Sequence, residues 1–287
     1  MAQDFCAVNG RITPIGEAMV SVLDLGFLRG VGAFETLRTY GGVFPHALEE
    51  HLARLWVSCT AFGVAPFLSA HELRTLLMEI YQKSGHAELR VNLLVTPGVN
   101  TSGVFGASAP TWVVISREVH APEPSAYDQG VTAVTFEASR HLPLLKTTNY
   151  LVGKTGLMQA ESVGAHEAFY VDREGHVTEG VTSNVLLRVG TDIITPCSDC
   201  LPGITKAGLR PLAEAMGLRW REEAVTRGQL YRADEVWISS AVREILPVVA
   251  VDGHAIGSGQ VGTYAKRLRE AYHARCVADA RYDAGVA

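Results

Sequence analysis

The chain has 287 residues, a formal charge of −5, 47% hydrophobic and 19% charged residues. That size is one large domain or two moderate ones, and the composition excludes collagen-like, coiled-coil and largely disordered classes. A mildly acidic chain lacks the basic surface that a nucleic-acid backbone requires, and no window approaches the ~18 apolar residues of a membrane span. The opening Met1-Ala2-Gln3-Asp4-Phe5 shows neither the basic nor the apolar region of a secretory signal. Cytoplasm is therefore the expected location, with neither nucleic acid nor membrane as a partner. The five cysteines are scattered and odd in number, which is not a disulfide framework. Cys197 and Cys200 have metal-knuckle spacing, but no second pair completes four ligands, so no metal is expected.

Phe5–Val8 and Arg11–Ile15 flank Asn9-Gly10, a hairpin signal. Phe34–Tyr40 and Val43-Phe44 flank Gly41-Gly42 in the same way. Leu48, Leu52, Leu55, Cys59 and Phe62 recur at helical spacing, with Gly63 as a stop. Ser69-x-x-Glu72 is a capping box that opens a second helix, with Leu73, Leu76, Leu77 and Ile80 as its stripe and Gly85 at its end. Strands are predicted at Leu89–Thr96 and Trp112–Ser116. Residues 118–129, with Pro122 and Pro124, have no periodicity and form the best linker.

Beyond them, strands are predicted at Val131–Phe136, Ala168–Val171, Val185–Leu187, Ile193-Ile194, Val236–Ser239 and Ile245–Val251. Helices are predicted at Asn149–Val163, around Leu209–Met216 and at Val261–Tyr272. Pro211 conflicts with the helical pattern around it. Strands in runs with irregularly placed helices imply an α+β fold in two domains. The division reads as a smaller domain at 1–120, a linker at 121–129 and a larger domain at 130–287.

No glycine-rich dinucleotide loop, P-loop, nucleophile elbow or HExxH occurs. Four segments carry chemistry instead. In Leu144-Leu145-Lys146-Thr147-Thr148-Asn149-Tyr150, a lysine lies between an apolar pair and a polar turn. A desolvated amine there becomes a nucleophile toward carbonyls. In Thr178-Glu179-Gly180-Val181-Thr182-Ser183-Asn184, a buried acid requires a cationic partner, and a protonated heterocycle serves. Leu201-Pro202-Gly203-Ile204-Thr205 leads into a helix, where the first N–H groups and hydroxyl either form a phosphate cup or Thr205 simply caps the helix. The serines of Trp237-Ile238-Ser239-Ser240-Ala241-Val242-Arg243-Glu244 add donors at a strand end. One ligand class satisfies all four segments: a phosphorylated pyridine aldehyde.

With these segments in view, the chain resembles the fold-type IV pyridoxal-phosphate enzymes, the class IV aminotransferases. The resemblance runs through Asp24–Gly30, Phe34-Glu35, Glu50–Leu55, Lys146–Tyr150, Glu179–Asn184, Leu201–Thr205 and Ser239–Pro247. It implies a small N-terminal α/β domain and a larger C-terminal α+β domain with a pseudo-barrel. It also implies pyridoxal 5′-phosphate as cofactor, with amino acids and 2-oxo acids as substrates, and a homodimer or larger assembly. Carried over by position, Lys146 bonds the cofactor's aldehyde carbon and shuttles the proton. Glu179 binds the pyridine nitrogen, and Tyr150 the phenolic oxygen. Leu201 packs on the ring, while Arg54, Ile204, Thr205, Ser240 and Ala241 receive the phosphate. Many relatives have threonine at the position of Ala241, which here offers only its N–H.

Phe34 and Val242 match substrate-facing positions. Arg29 stands where branched-chain enzymes tend to have an aromatic, and Arg90 where several relatives carry a substrate-facing arginine. The pair resembles a subgroup of D-amino-acid transaminases that clamp the substrate carboxylate with two guanidinium groups. The resemblance thus implies transfer between a D-amino acid and 2-oxoglutarate or pyruvate. An L-branched-chain aminotransferase and an aminodeoxychorismate lyase stand as alternatives.

Overall fold

The computed structural model describes residues 2–107 and 109–283. They fall into two compact units. The first takes the described residues of Met1–His120, Leu145–Asn149 and Arg275–Ala287, and the second takes Ala121–Leu144 and Tyr150–Ala274. The sequence reading runs its second domain without a break from residue 130. In the structure the residues around Lys146 group with the first unit instead.

The first unit comprises β1 (Phe5–Val8), β2 (Arg11–Pro14), α1 (Leu25–Arg29), β3 (Ala33–Arg38), α2 (Leu48–Thr60), α3 (Ala70–Ser84), β4 (Leu89–Thr96), β5 (Asn100–Ser102), β6 (Gly106–Ala107) and β7 (Thr111–Glu118). Five strands form an antiparallel sheet in the order β2-β1-β7-β4-β3. Alternation decides its faces. Ala33 and Leu37 of β3 and Leu89, Val91, Leu93 and Val95 of β4 are buried, and they pack with Leu52 and Leu55 of α2 and Leu73 and Leu77 of α3 in one core. Each of these leucines and valines contributes roughly 1.5–3 kcal/mol by leaving water. The opposite face carries Phe34, Thr36 and Arg38 beside Leu94, Asn92 and Arg90, their direct register partners.

The hairpin expected at Gly41-Gly42 does not form. Val43 and Phe44 stay outside the sheet, and only a Thr39–Pro45 bridge closes the loop. Pro45 has no N–H to extend a ladder, so the return strand stops where it would begin.

The second unit comprises α4 (Pro124–Gln129), β8 (Val131–Glu137), α5 (Leu151–Ser162), β9 (Glu167–Val171), β10 (His176–Gly180), β11 (Asn184–Val189), β12 (Asp192–Thr195), α6 (Ile204–Ala215), β13 (Arg219–Glu222), β14 (Val225–Thr226), α7 (Arg227–Arg232), β15 (Glu235–Ser240), β16 (Glu244–Val251), β17 (His254–Ala255) and, as far as Ala274, α8 (Thr263–Asp283). Its ten strands form one mixed sheet in the order β13-β12-β11-β15-β16-β8-β9-β10-β14, with β17 on β16. Near-continuous burial along β9, β11, β12 and β15 explains why these strands read as apolar runs.

Other local outcomes also differ from the sequence reading. The linker segment carries α4, with Pro124 in its first turn and Tyr127 buried. α6 continues through Pro211, since one lost N–H bond is outweighed by burial of Thr205, Leu209 and Ala213. β13 is missed because an exposed edge strand reading Arg-Trp-Arg-Glu has no apolar face. The fold is α+β, as the sequence implies. Among the described residues no helix is long and apolar enough to cross a membrane.

Candidate active site

Lys146 lies alongside β3. The Phe34 N–H donates to Lys146 O at 3.0 Å, the Thr148 N–H donates to Gly32 O at 3.0 Å, and Ala33 bridges Thr147. The Lys146 N–H donates to the Ser58 hydroxyl of α2 at 3.0 Å, so strand and helix both hold its backbone. Its Nζ sits 4.6 Å from the centroid of the Phe34 ring. This places the amine on the sheet face that also carries Thr36, Asn92 and Arg90. The Asn92 amide donates to the Thr36 hydroxyl at 2.7 Å across that face.

Beneath, on the helix side of β3, Glu35 is 1% exposed. Arg54 grips it bidentately, Nε to Oε1 and Nη2 to Oε2, both at 2.7 Å. His51 Nδ1 lies 2.8 Å from Oε2. Burial pushes the Glu35 carboxyl up, but the hydrogen bonds from Arg54 and His51 outweigh it and hold the pKa at about 2. Burial pushes His51 down, and the nearby Arg54 and Lys146 cations add to this against the pull of Glu35. His51 is therefore neutral at pH 7. Because the ionised Glu35 only accepts, the imidazole donates its Nδ1–H. Arg54 thus has its guanidinium plane fixed by a buried carboxylate, as bidentate geometry requires. His51, Arg54 and Ser58 follow one another at steps of three and four along α2, a polar stripe beside the apolar one. The sequence reading assigned Arg54 alone and missed Glu35, His51 and Ser58. That spacing, opposite an acid at a core position of an alternating strand, is the signal that identifies them.

In the second unit Glu179, on β10, is 4% exposed. Arg140, in the loop after β8, donates from Nη1 to its Oε1 at 2.8 Å and to Pro143 O at 3.1 Å. The Leu201 N–H donates to Oε2 at 3.1 Å. The cationic partner that a buried acid needs is thus supplied by the protein itself, by a residue the sequence reading did not single out. Leu201 is buried, and its carbonyl accepts from the Asn184 side-chain amide at 2.8 Å. Gly203 is required here, because a Cβ on it would collide with Asn184 Oδ1. Gly203 is also the N-cap of α6 and provides no side-chain acceptor. The first N–H groups of Ile204 and Thr205 are donors that the helix itself does not use. At the end of β15 the Ser239 hydroxyl is buried without a hydrogen-bond partner, and the chain turns through Ser240, Ala241 and Val242. An anion is the ligand such a donor set suits. Tyr150 caps α5 and packs with Val134, Tyr170 and Val181.

Arg29 and Arg90 stand on different elements of the first unit. Arg29 ends α1, is exposed, and donates from Nη1 to Leu28 O at 3.0 Å. Arg90 projects from the open face of the first unit's sheet. The cysteines at 197 and 200 also differ: Cys197 is exposed, while Cys200 is buried with its thiol on Pro196 O at 3.4 Å.

The family model for amino-transferase class IV matches residues 32–251. A D-alanine aminotransferase of Bacillus licheniformis is 34% identical over 268 residues, covering 92% of this chain and 94% of the relative. A putative branched-chain-amino-acid aminotransferase of Methanocaldococcus jannaschii is 32% identical over 273 residues, with the same coverage of 92% and 94%. Among solved structures, the T.th. branched-chain amino acid aminotransferase with pyridoxamine 5′-phosphate matches with a TM-score of 0.88 at 28% identity. It covers 97% of this chain and 95% of that one. A lysine held between a strand and a helix, a buried acid and an uncapped helix start on a fold of this kind agree with those matches, and the chain belongs to the class IV aminotransferases, which use pyridoxal 5′-phosphate.

Proposed function

We propose that this aminotransferase acts on D-amino acids, with 2-oxoglutarate or pyruvate as acceptor, in the cytoplasm and as a homodimer or larger assembly. The residues present fit the cofactor. The uncapped start of α6 and the partnerless Ser239 hydroxyl suit a phosphate, and the buried Glu179 suits a protonated pyridine nitrogen. Pyridoxal phosphate supplies an aldehyde and an electron sink. Lys146 would hold the aldehyde carbon and move the proton to and from the substrate Cα. Glu179, kept in place by Arg140, would hold the proton of the ring nitrogen, and Tyr150 would hydrogen-bond the phenolic oxygen. Leu201 would pack on the ring. Arg54, Ile204, Thr205, Ser240 and Ala241 would bind the phosphate. Phe34, Val242, Arg29 and Arg90 face substrate.

Recognition of an amino acid through its carboxylate is supported by one observation: Arg90 shares a sheet face with Phe34, whose ring lies under the Lys146 amine. A guanidinium on that face attracts a carboxylate. The D-alanine aminotransferase among the relatives supports the choice of the D series. The branched-chain enzymes among them support the competing one, an L-branched-chain aminotransferase. Self-association is supported by a run of exposed apolar side chains, Met19, Val20, Val22, Leu23, Phe27 and Leu28.

The test is the half-reaction. The visible absorbance of the holoenzyme is expected to bleach with D-alanine or D-glutamate, and Arg90→Ala is expected to raise KM for both. Bleaching with L-leucine or L-valine alone overturns the choice of the D series.

A further inference from the structure

The turn after β15, Ser240-Ala241-Val242-Arg243, is held from two sides by buried acids that have no role in the assignments above. On one side Arg243 Nη1 donates to Glu167 Oε2 at 3.1 Å and to the Thr182 hydroxyl at 2.8 Å. Glu167 lies on β9 and is 0% exposed. Its Oε1 accepts from the Ala168 N–H at 3.1 Å, and its Oε2 accepts from the hydroxyls of Thr182 at 2.7 Å and Ser183 at 3.1 Å. Thr182 and Ser183 belong to the turn directly after Glu179 and Gly180.

On the other side Glu244, also 0% exposed, accepts from Arg269 Nε at 3.3 Å and from His273 Nδ1 at 2.8 Å, both on α8. The Tyr127 hydroxyl of α4 donates to Arg243 O at 3.0 Å, and Arg269 stacks on the Tyr127 ring at 3.5 Å. Glu244 has a φ of +59°, in the left-handed region that non-glycine residues rarely adopt. Such a conformation persists only where its surroundings over-determine it. Here the two neighbouring side chains reach separate anchors, Glu167 and α8.

We propose that Arg243 and Glu244 are positioning residues that hold the Ser240–Val242 turn in its anion-receiving shape, and that Glu167 ties this turn to the one that follows Glu179. The inference rests on the reading of Ser240 and Ala241 as phosphate donors. A hydroxyl and a backbone N–H serve a phosphate only when both point at it, so loosening the turn weakens the phosphate contacts and leaves the ring contacts unchanged.

The experiment starts from the holoenzyme, exchanges the cofactor out, and titrates back either pyridoxal phosphate or unphosphorylated pyridoxal, read by absorbance. Arg243→Met is expected to weaken pyridoxal phosphate by about tenfold or more, in the range of lost orienting partners, with pyridoxal affinity unchanged. Arg243→Lys is expected to recover part of the loss. The double variant Glu167→Gln/Arg243→Met leaves no orphaned buried charge and is expected to stay weak. Equal loss for both cofactor forms, or full recovery in the double variant, shows a structural role only and overturns the inference. Ser240→Ala separates the two levels. If it weakens pyridoxal phosphate and Arg243→Met does not, the inference alone falls. If neither does, the phosphate reading falls and takes the inference with it.

Discussion

The two units use a buried acid–arginine pair in opposite senses. In the first, the Glu35 carboxylate is sealed under β3 and fixes the plane of the Arg54 guanidinium, the group proposed to receive the phosphate. In the second, Arg140 steadies Glu179, the group proposed to meet the ring nitrogen. On that proposal the sign of the charge each must present decides the sense. A phosphate calls for an oriented cation, and a protonated ring nitrogen calls for an anion. The construction differs too. Glu35 and Arg54 stand on a regular strand and a regular helix. Glu179 is steadied from outside its strand, by a guanidinium and a backbone N–H that both come from loops. The first arrangement should thus matter more for stability, and the second more for turnover.

Glu35→Ala probes the first arrangement and has the largest expected effect. It strips a buried guanidinium of its partner and should cost about 3–5 kcal/mol in chemical denaturation. The pH dependence has a defined sign. Glu35 titrates near 2 in the fold against an ordinary 4.5, so its contribution is present above pH 4.5 and is lost as pH falls toward 2. His51, depressed from 6.5, adds a loss that begins as pH falls below 6.5. Glu35→Gln should flatten the acid limb of a melting-temperature profile. An unchanged limb would show that the pair does not stabilise the fold.

Arg140→Met probes the second arrangement. It should lower kcat by about 10- to 100-fold, as for other partners of a reacting group, with a smaller stability loss than Glu35→Ala. The reverse ranking of the two variants would break the comparison. Gly203→Ala has the smallest expected effect, about 1–3 kcal/mol from a side chain forced against Asn184. Asn184→Ala removes the clash, so the double variant should be more stable than the sum of the single losses implies.

Much of this arrangement is legible along the chain. Lys146, Glu179 and the Leu201–Thr205 segment stand out because each needs only its neighbours in sequence to look unusual: a lysine after an apolar pair, an acid before a small-residue turn, a proline and glycine before a helix. Arg140 does not stand out. Its neighbours Ser139 and His141 suggest a solvated loop, and only the approach of β10 makes it the partner of Glu179. Arg243 reads as one more surface arginine until β9 brings Glu167 beneath it. Arg90 is legible as a strand residue, but its face is known only once β3 and β4 are in register.

Sequence by itself determined the secondary elements with strong periodicity, the α+β class and the class of cofactor, because alternation, helical spacing and short motifs are encoded in contiguous residues. Tertiary structure alone decided which charges pair, which unit carries Lys146 and which residues orient the working groups. The reason is physical: a buried charge is tolerated only beside a partner, and that partner comes from whichever strand or loop the fold packs against it.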